Sequence, residues 1–193
     1  MRDALPTAAQ VAALVITGLM VVCRLLPGAA APGTSLAGDL DVKAAFVLNF
    51  IRLVNWSNVP EEQNYGELPV CAWSKSDFFA AVQSVAAGKA VGNRLIVFRI
   101  EPVPDARRCR VLLVDRANYQ SARQQLGAIK DAPILTIGNG PGILDAGGMF
   151  ELIVQDGKVQ FDVGLEAVRR SGLDISARLL HLSRNLRAGG SGG

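Results

Sequence analysis

The sequence is poor in the residue types from which most catalytic sites are built. It contains a single histidine, His181, and three cysteines among 193 residues. No Cys-x-x-Cys pair, Gly-x-Ser-x-Gly elbow or G-x-x-x-x-G-K-[ST] phosphate loop occurs in it. A metal site would lack the second imidazole that such sites usually have. We therefore expect no enzyme activity, no metal and no cofactor. A hydrolase with a Ser–His–Asp arrangement around His181 stays open as an alternative.

Charge is also sparse, and no block of basic residues with interleaved aromatics is present. Charged residues make up 19% of the chain, aromatic residues 6%, and the formal net charge is +3. Nucleic-acid binding domains usually carry a concentrated basic surface. The composition therefore argues against nucleic acid as a partner.

The N-terminal region is apolar, but it is too short to predict a membrane span. The stretch from Val11 to Val22 falls well below the ~20 residues that cross a bilayer, and Arg24 follows closely. Arg2 precedes this stretch, and small residues follow it as far as Ala37. This order is typical of a secretory signal peptide. We predict a signal peptide over residues 1–37 and a periplasmic protein. An uncleaved anchor helix is the alternative.

Cleavage after Ala37 would remove Cys23 and leave Cys71 and Cys109. An even number of cysteines in an exported chain indicates a disulfide bond. We therefore predict a Cys71–Cys109 bridge. Two buried free thiols are the alternative.

Short apolar strands alternate with helical segments over most of residues 38–188. The run from Val111 to Val114 is continuously apolar, as is typical of a buried parallel strand. This alternation predicts one α/β domain with a largely parallel central sheet flanked by helices. The predicted strands cover residues 68–73, 94–103, 111–114 and 134–137. A helix over residues 39–56 precedes the first strand, and helices over residues 76–88 and 117–129 lie between later ones.

The C-terminal part follows a different pattern. An Asp156-Gly157 turn between two alternating runs predicts an antiparallel hairpin. Two helices follow in the prediction, over residues 165–171 and 174–187, and residues 189–193 form a flexible tail. On the second helix, Arg178, His181 and Arg184 lie on or near one face. That face would suit an acidic partner surface or an anionic small molecule.

Four blocks of the sequence carry a family resemblance. They are Lys43-Ala44-Ala45-Phe46 with Asn49-Phe50 and Val54-Asn55-Trp56; Leu68-Pro69-Val70-Cys71 with Cys109-Arg110-Val111-Leu112; Ile134-Leu135-Thr136-Ile137 with Gly147-Gly148-Met149-Phe150 and Val159-Gln160-Phe161-Asp162; and Ala167 through Gly172-Leu173-Asp174-Ile175-Ser176 to Leu179-Leu180. These blocks resemble the YfiR family of small periplasmic proteins. The resemblance extends from about Val42 to Leu186 and departs from the family where Ser57 replaces a usual proline.

This resemblance implies a repressor that restrains an inner-membrane signalling enzyme, a diguanylate cyclase in the type member. It also implies a homodimer, and an outer-membrane lipoprotein that sequesters the repressor. We expect the partner, the periplasmic domain of a cyclase or a sensor kinase, to contact the hairpin around Phe150 and Glu151. The expected contact surface extends to Arg178, His181 and Arg184. An aromatic surface around Trp73 and Phe78 is a further alternative.

A solute-binding protein that reports to a transporter or sensor kinase is the second functional hypothesis. The glycine-rich loop at residues 138–142 follows a predicted strand, where open parallel sheets bind ligands. No G-x-G-x-x-G frame fits that loop, so a tight connecting loop is the simpler interpretation.

Overall fold

The computed structural model describes residues 36–56, 66–100 and 103–188. Nearly all of the predicted signal peptide and all of the tail at 189–193 lie outside these residues. Helix α1 spans Leu36–Leu53 and is followed by a short strand β1, Val54–Asn55. No helix among the described residues combines the length and hydropathy that a membrane crossing requires.

The elements after residue 66 alternate as the sequence predicts. They are, in chain order, β2 (Glu67–Ala72), α2 (Asp77–Ala86), β3 (Ala90–Val91), β4 (Arg94–Ile100), β5 (Val111–Asp115), α3 (Tyr119–Ala128), β6 (Leu135–Asn139), β7 (Phe150–Gln155), β8 (Lys158–Gly164), α4 (Leu165–Ser171), β9 (Asp174–Ile175), α5 (Ala177–His181) and β10 (Asn185–Arg187). A 3₁₀ helix, Val103–Arg108, precedes β5.

One eight-stranded sheet of the described chain has the order β10-β8-β7-β6-β5-β2-β4-β3. The five adjacent strands β7, β6, β5, β2 and β4 run parallel to one another. Strand β8 is antiparallel to β7, and β3 is antiparallel to β4. The predicted fold class, a largely parallel sheet flanked by helices with a C-terminal hairpin and two helices, is confirmed. The Asp156-Gly157 turn has positive φ at both residues, as a tight hairpin turn requires.

Helices cover both faces of the sheet. On one face α1, α2, α4 and α5 enclose the larger apolar core, in which Phe50 packs on Phe150 and Phe161. On the other face α3 and the segment 140–148 enclose a smaller core around Leu126 and Ile143. Apolar side chains on both sides of β5 and β6 explain their continuous hydrophobic runs.

The predicted Cys71–Cys109 disulfide is confirmed and belongs to the smaller core. Its Cα atoms are 5.8 Å apart, and both residues are fully buried. Cys71 lies in β2, and Cys109 precedes the neighbouring strand β5. The bridge therefore joins two adjacent central strands.

The C-terminal helix predicted over residues 174–187 is wrong in extent. Only Ala177–His181 is helical, capped by the Ser176 hydroxyl, which accepts a hydrogen bond from the Leu179 amide at 3.3 Å. The residues on either side join sheets: β9 pairs antiparallel with β1, and β10 pairs parallel with β8. The unpaired N–H and C=O groups at a sheet edge can bind a neighbouring segment as a strand. The spacing of leucines in the sequence gives no sign of such an edge.

Candidate partner-binding site

Phe150 and Glu151 lie in β7, an interior strand whose two faces are both covered. Phe150 has no exposed surface, and its ring centroid is 4.7 Å from that of Phe50. Glu151 is 2% exposed, and its carboxylate accepts a hydrogen bond from the Gly142 amide at 2.6 Å. This corrects the expected exposure of the hairpin here: both side chains are structural, and neither offers a surface to a partner in this conformation.

The glycine-rich segment after β6 is packed tightly against its surroundings. The Tyr119 hydroxyl donates to the Gly140 carbonyl at 2.7 Å, and burial raises the pKa of that tyrosine. A Cβ placed on Gly138 would lie 2.5 Å from the Ile143 side chain. Glycine at 138 is therefore required by close packing, and the segment is a connecting loop held by Tyr119 and Glu151.

Arg184 stabilises the attachment of β10 to the sheet. Its guanidinium binds both carboxylate oxygens of Asp162, with Nε 2.9 Å from Oδ1, and also contacts Gln155. Asp162 is fully buried. Burial by itself would raise the pKa of Asp162, but the hydrogen bonds and charge of Arg184 outweigh it and leave that pKa below its usual value. The guanidinium of Arg184 is therefore mostly engaged in hydrogen bonds within the chain. Its position in the sequence did not reveal this.

Arg178 and His181 are exposed on α5. Arg178 lines a depression of about 360 Å³ between α5 and α1, together with Arg52 and Leu182. An adjoining depression of about 310 Å³ lies between α1, β8 and the turn after α5. The two share Phe46, Phe161 and Leu182. We call the combined feature the α1–α5 groove; its remaining lining residues are Asn49, Phe50, Leu53, Val159, Gln160, Leu179 and Arg184.

The groove exposes apolar surface because α1 is apolar on more than its buried side. Phe46 and Leu53 are only partly buried and lie two turns apart on the side that lines the groove, and Val42, one turn before Phe46 and outside the lining, is 47% exposed. Leu182 is 64% exposed in the turn after α5. Contiguous exposed apolar surface usually marks an interaction site.

The aromatic residues predicted as an alternative contact surface, Trp73 and Phe78, do not form an exposed surface. Phe78 is 1% exposed, and Trp73 is partly buried against the smaller core. Trp56 is also buried, and its indole N–H donates to the Ile51 carbonyl at 3.0 Å. These rings contribute to packing.

A second, polar crevice lies where the chain reverses direction across the sheet. From β2 the chain proceeds to β4 on one side and then returns to β5 on the other. The crevice outside the carboxyl ends of such strands is where open parallel sheets bind ligands. Its volume is about 440 Å³, and Ser74, Arg116 and Asn118 are among its lining residues.

Much of the polar surface in this crevice is hydrogen-bonded within the chain. The Asn118 amide donates to the Ser74 hydroxyl at 2.9 Å. The Asn139 amide nitrogen donates to Asp115 at 3.0 Å, and its oxygen accepts from the Lys43 ammonium at 2.8 Å. Burial lowers the pKa of Lys43, although the charges of nearby carboxylates oppose this. Within the described segments, no cluster of three or more histidine, cysteine or carboxylate side chains forms a metal site.

Comparison with known proteins assigns the family. The family model described as YfiR/HmsC-like, DUF4154, matches residues 40–184. The chain belongs to this family. Its members are periplasmic regulatory proteins, which agrees with the disulfide. No curated protein gives a significant match.

One of two similar solved structures supports the fold, and the fold alone. A conserved domain protein from Vibrio cholerae O1 biovar El Tor superimposes with a TM-score of 0.54 at 9% identity, over 77% of this chain and 60% of that one. The ABC domain in complex with L-Trp from Streptococcus pneumonia matches with a TM-score of 0.47 at 7% identity, again over 77% and 60%. The chain thus spans about three fifths of the length of each.

Proposed function

We propose that this protein represses an inner-membrane signalling enzyme, a diguanylate cyclase, by binding the periplasmic domain of that enzyme. The family match over residues 40–184 is the observation that carries the proposal. The α1–α5 groove supports it, because it presents an exposed apolar surface on an otherwise well-packed domain. In this proposal Arg178 and His181 belong to the contact surface, and buried Phe150 and Glu151 position the elements behind it. Arg184 lines the groove but is paired with Asp162.

Repression follows from a difference in affinity. A bound protein shifts an equilibrium only by as much as it prefers one state over the other. The repressor would bind the inactive conformation of the periplasmic domain more tightly and so reduce the active population. An outer-membrane lipoprotein that competes for the repressor would restore activity. The repressor would act as a homodimer, and its partner surface would be separate from the dimer contact.

The test is deletion and complementation in the native host. Loss of the protein should raise cyclic-di-GMP, measured by mass spectrometry of cell extracts, and should increase surface attachment. Wild-type protein with its own leader should reverse both effects. A strain that also lacks the cyclase should not respond to the deletion. An unchanged cyclic-di-GMP level in the first deletion strain would contradict the proposal.

The polar crevice between β2 and β5 favours a second candidate, a periplasmic solute-binding protein. Its position at the reversal of strand order matches the usual ligand site of open parallel sheets. A ligand in excess over its dissociation constant stabilises the folded state measurably. A thermal-shift screen of common metabolites should then yield a hit that is lost on Asn118→Ala. A screen without a reproducible shift would dismiss this candidate.

A further inference from the structure

The α1–α5 groove has a charge imbalance. Within the described residues its lining contains three arginines and no carboxylate. Arg184 is neutralised by Asp162, which leaves Arg52 and Arg178. Neither forms an ion pair with any described residue. Two uncompensated cations beside an apolar surface favour a ligand that carries negative charge next to its own apolar surface.

The shape of the groove indicates an elongated occupant. Its α1 side runs from Phe46 through Asn49 and Phe50 to Leu53, which recur at helical spacing over two turns. At a rise of 1.5 Å per residue, this stripe is roughly 10 Å long. Its apolar residues are of the size and spacing that receive the side-chain ridge of another helix.

We infer that the groove receives about two turns of an amphipathic helix of a partner protein. This helix sets apolar side chains against Phe46 and Leu182 and directs carboxylates toward Arg52 and Arg178. The inference rests on the proposed function, because it specifies the segment of the regulated enzyme that the repressor holds.

A second copy of this chain is a poorer occupant. In a symmetric dimer the same surface meets itself. The described lining of the groove contains no carboxylate, so neither copy could offer a negatively charged side chain to Arg52 or Arg178 of the other. The groove is therefore assigned to a different protein, and the proposed homodimer uses another surface.

Site-specific photo-cross-linking in the native host tests the inference. A photoreactive amino acid replaces Leu182, which is exposed enough to be changed without disturbing the core. The matched control replaces Leu95, which is 46% exposed on β4 near the opposite end of the sheet. We expect a cross-link from position 182 and none from position 95. Peptide mapping should identify a segment with apolar residues at i, i+3 or i+4 and i+7, flanked by Asp or Glu.

Charge reversal tests the role of the arginine rim. Arg178→Glu, introduced into the Leu182 cross-linking variant, should lower the cross-link yield roughly tenfold, because an attractive contact becomes a repulsive one. Arg108→Glu makes the same charge change at an exposed side chain of the 3₁₀ helix on the other face and should leave the yield unchanged. Both variants should retain the melting temperature of the parent.

Several outcomes would overturn the inference: cross-links of equal yield at 182 and 95, a cross-link to a second copy of this chain, a mapped peptide without carboxylates or helical spacing, or equal yields from the two charge variants. Complementation separates this failure from failure of the proposed function. If deletion raises cyclic-di-GMP and both Arg178→Glu and Leu182→Asp restore repression, the groove is excluded and repression stands. If deletion changes nothing, repression itself is excluded.

Discussion

Opening the Cys71–Cys109 disulfide should remove a large part of the stability of this domain. The two cysteines are separated by 38 residues. In the chain-entropy model, closing a loop of that length lowers the free energy of the folded state relative to the unfolded state by about 4 kcal/mol. For a domain of this size, the same change lowers the melting temperature by roughly 8–16 °C. The free energy of unfolding of a native domain is typically only about 5–15 kcal/mol, so this change is a large fraction of it.

The assay is guanidinium unfolding of protein purified from the periplasm, followed by circular dichroism with and without a reductant. Thiol counting by mass spectrometry establishes that the bond is open. The control is the double variant Cys71→Ala/Cys109→Ala, which should match the reduced wild type closely and should not respond to reductant. A fully reduced wild type within about 1 kcal/mol of the oxidised protein would refute the reasoning, since the bridge would then constrain little.

Further predictions concern local features of the fold. Asp162→Asn should lower the free energy of unfolding by about 1–3 kcal/mol at neutral pH, since it weakens hydrogen bonds to a charged partner. Because the folded-state pKa of Asp162 is depressed, its stabilisation is present above the unfolded pKa of about 3.9 and is lost as pH falls through the folded pKa. The free energy of unfolding of Asp162→Asn, measured as pH is lowered, should therefore fall less than that of the wild type. Identical pH profiles for the two proteins would count against the ion pair. Gly138→Ala should cost about 1–3 kcal/mol by overpacking against Ile143, whereas Gly127→Ala, in open space on α3, should stabilise by about 0.4–1 kcal/mol. If the denaturant midpoints of Gly138→Ala and Gly127→Ala both shift in the same direction from wild type, the packing argument is contradicted. Ser76→Ala should cost about 1 kcal/mol by removing the cap of α2, and an unchanged melting temperature would show the cap to be dispensable.

Residue pattern alone determined the central architecture of this protein. The apolar runs at Val111–Val114 and Ile134–Ile137 are strands because both of their faces are buried, and such burial leaves a continuous hydrophobic signature. The Asp156-Gly157 turn was readable because few residues accept positive φ. The cysteine pair was readable because the predicted export left only two cysteines in the mature chain.

Tertiary structure decided the C-terminal segment and the candidate surface. The spacing of Ile175, Leu179, Leu182 and Leu186 fits one helix, but residues at both ends pair instead with the edges of β1 and β8. Those edges exist only once distant parts of the chain have come together, so local spacing could not anticipate them.

The same reason explains the site. Arg184 and Arg178 stand six positions apart in what looked like one helical face, yet the first binds the buried Asp162 and the second lines an open groove. Phe150 lies in a hairpin strand that pattern alone left free to face outward, and Phe50 of helix α1, 100 residues earlier, covers it. Sequence determined which residues are apolar or charged; the packing of distant elements determined which of them remain available to a partner.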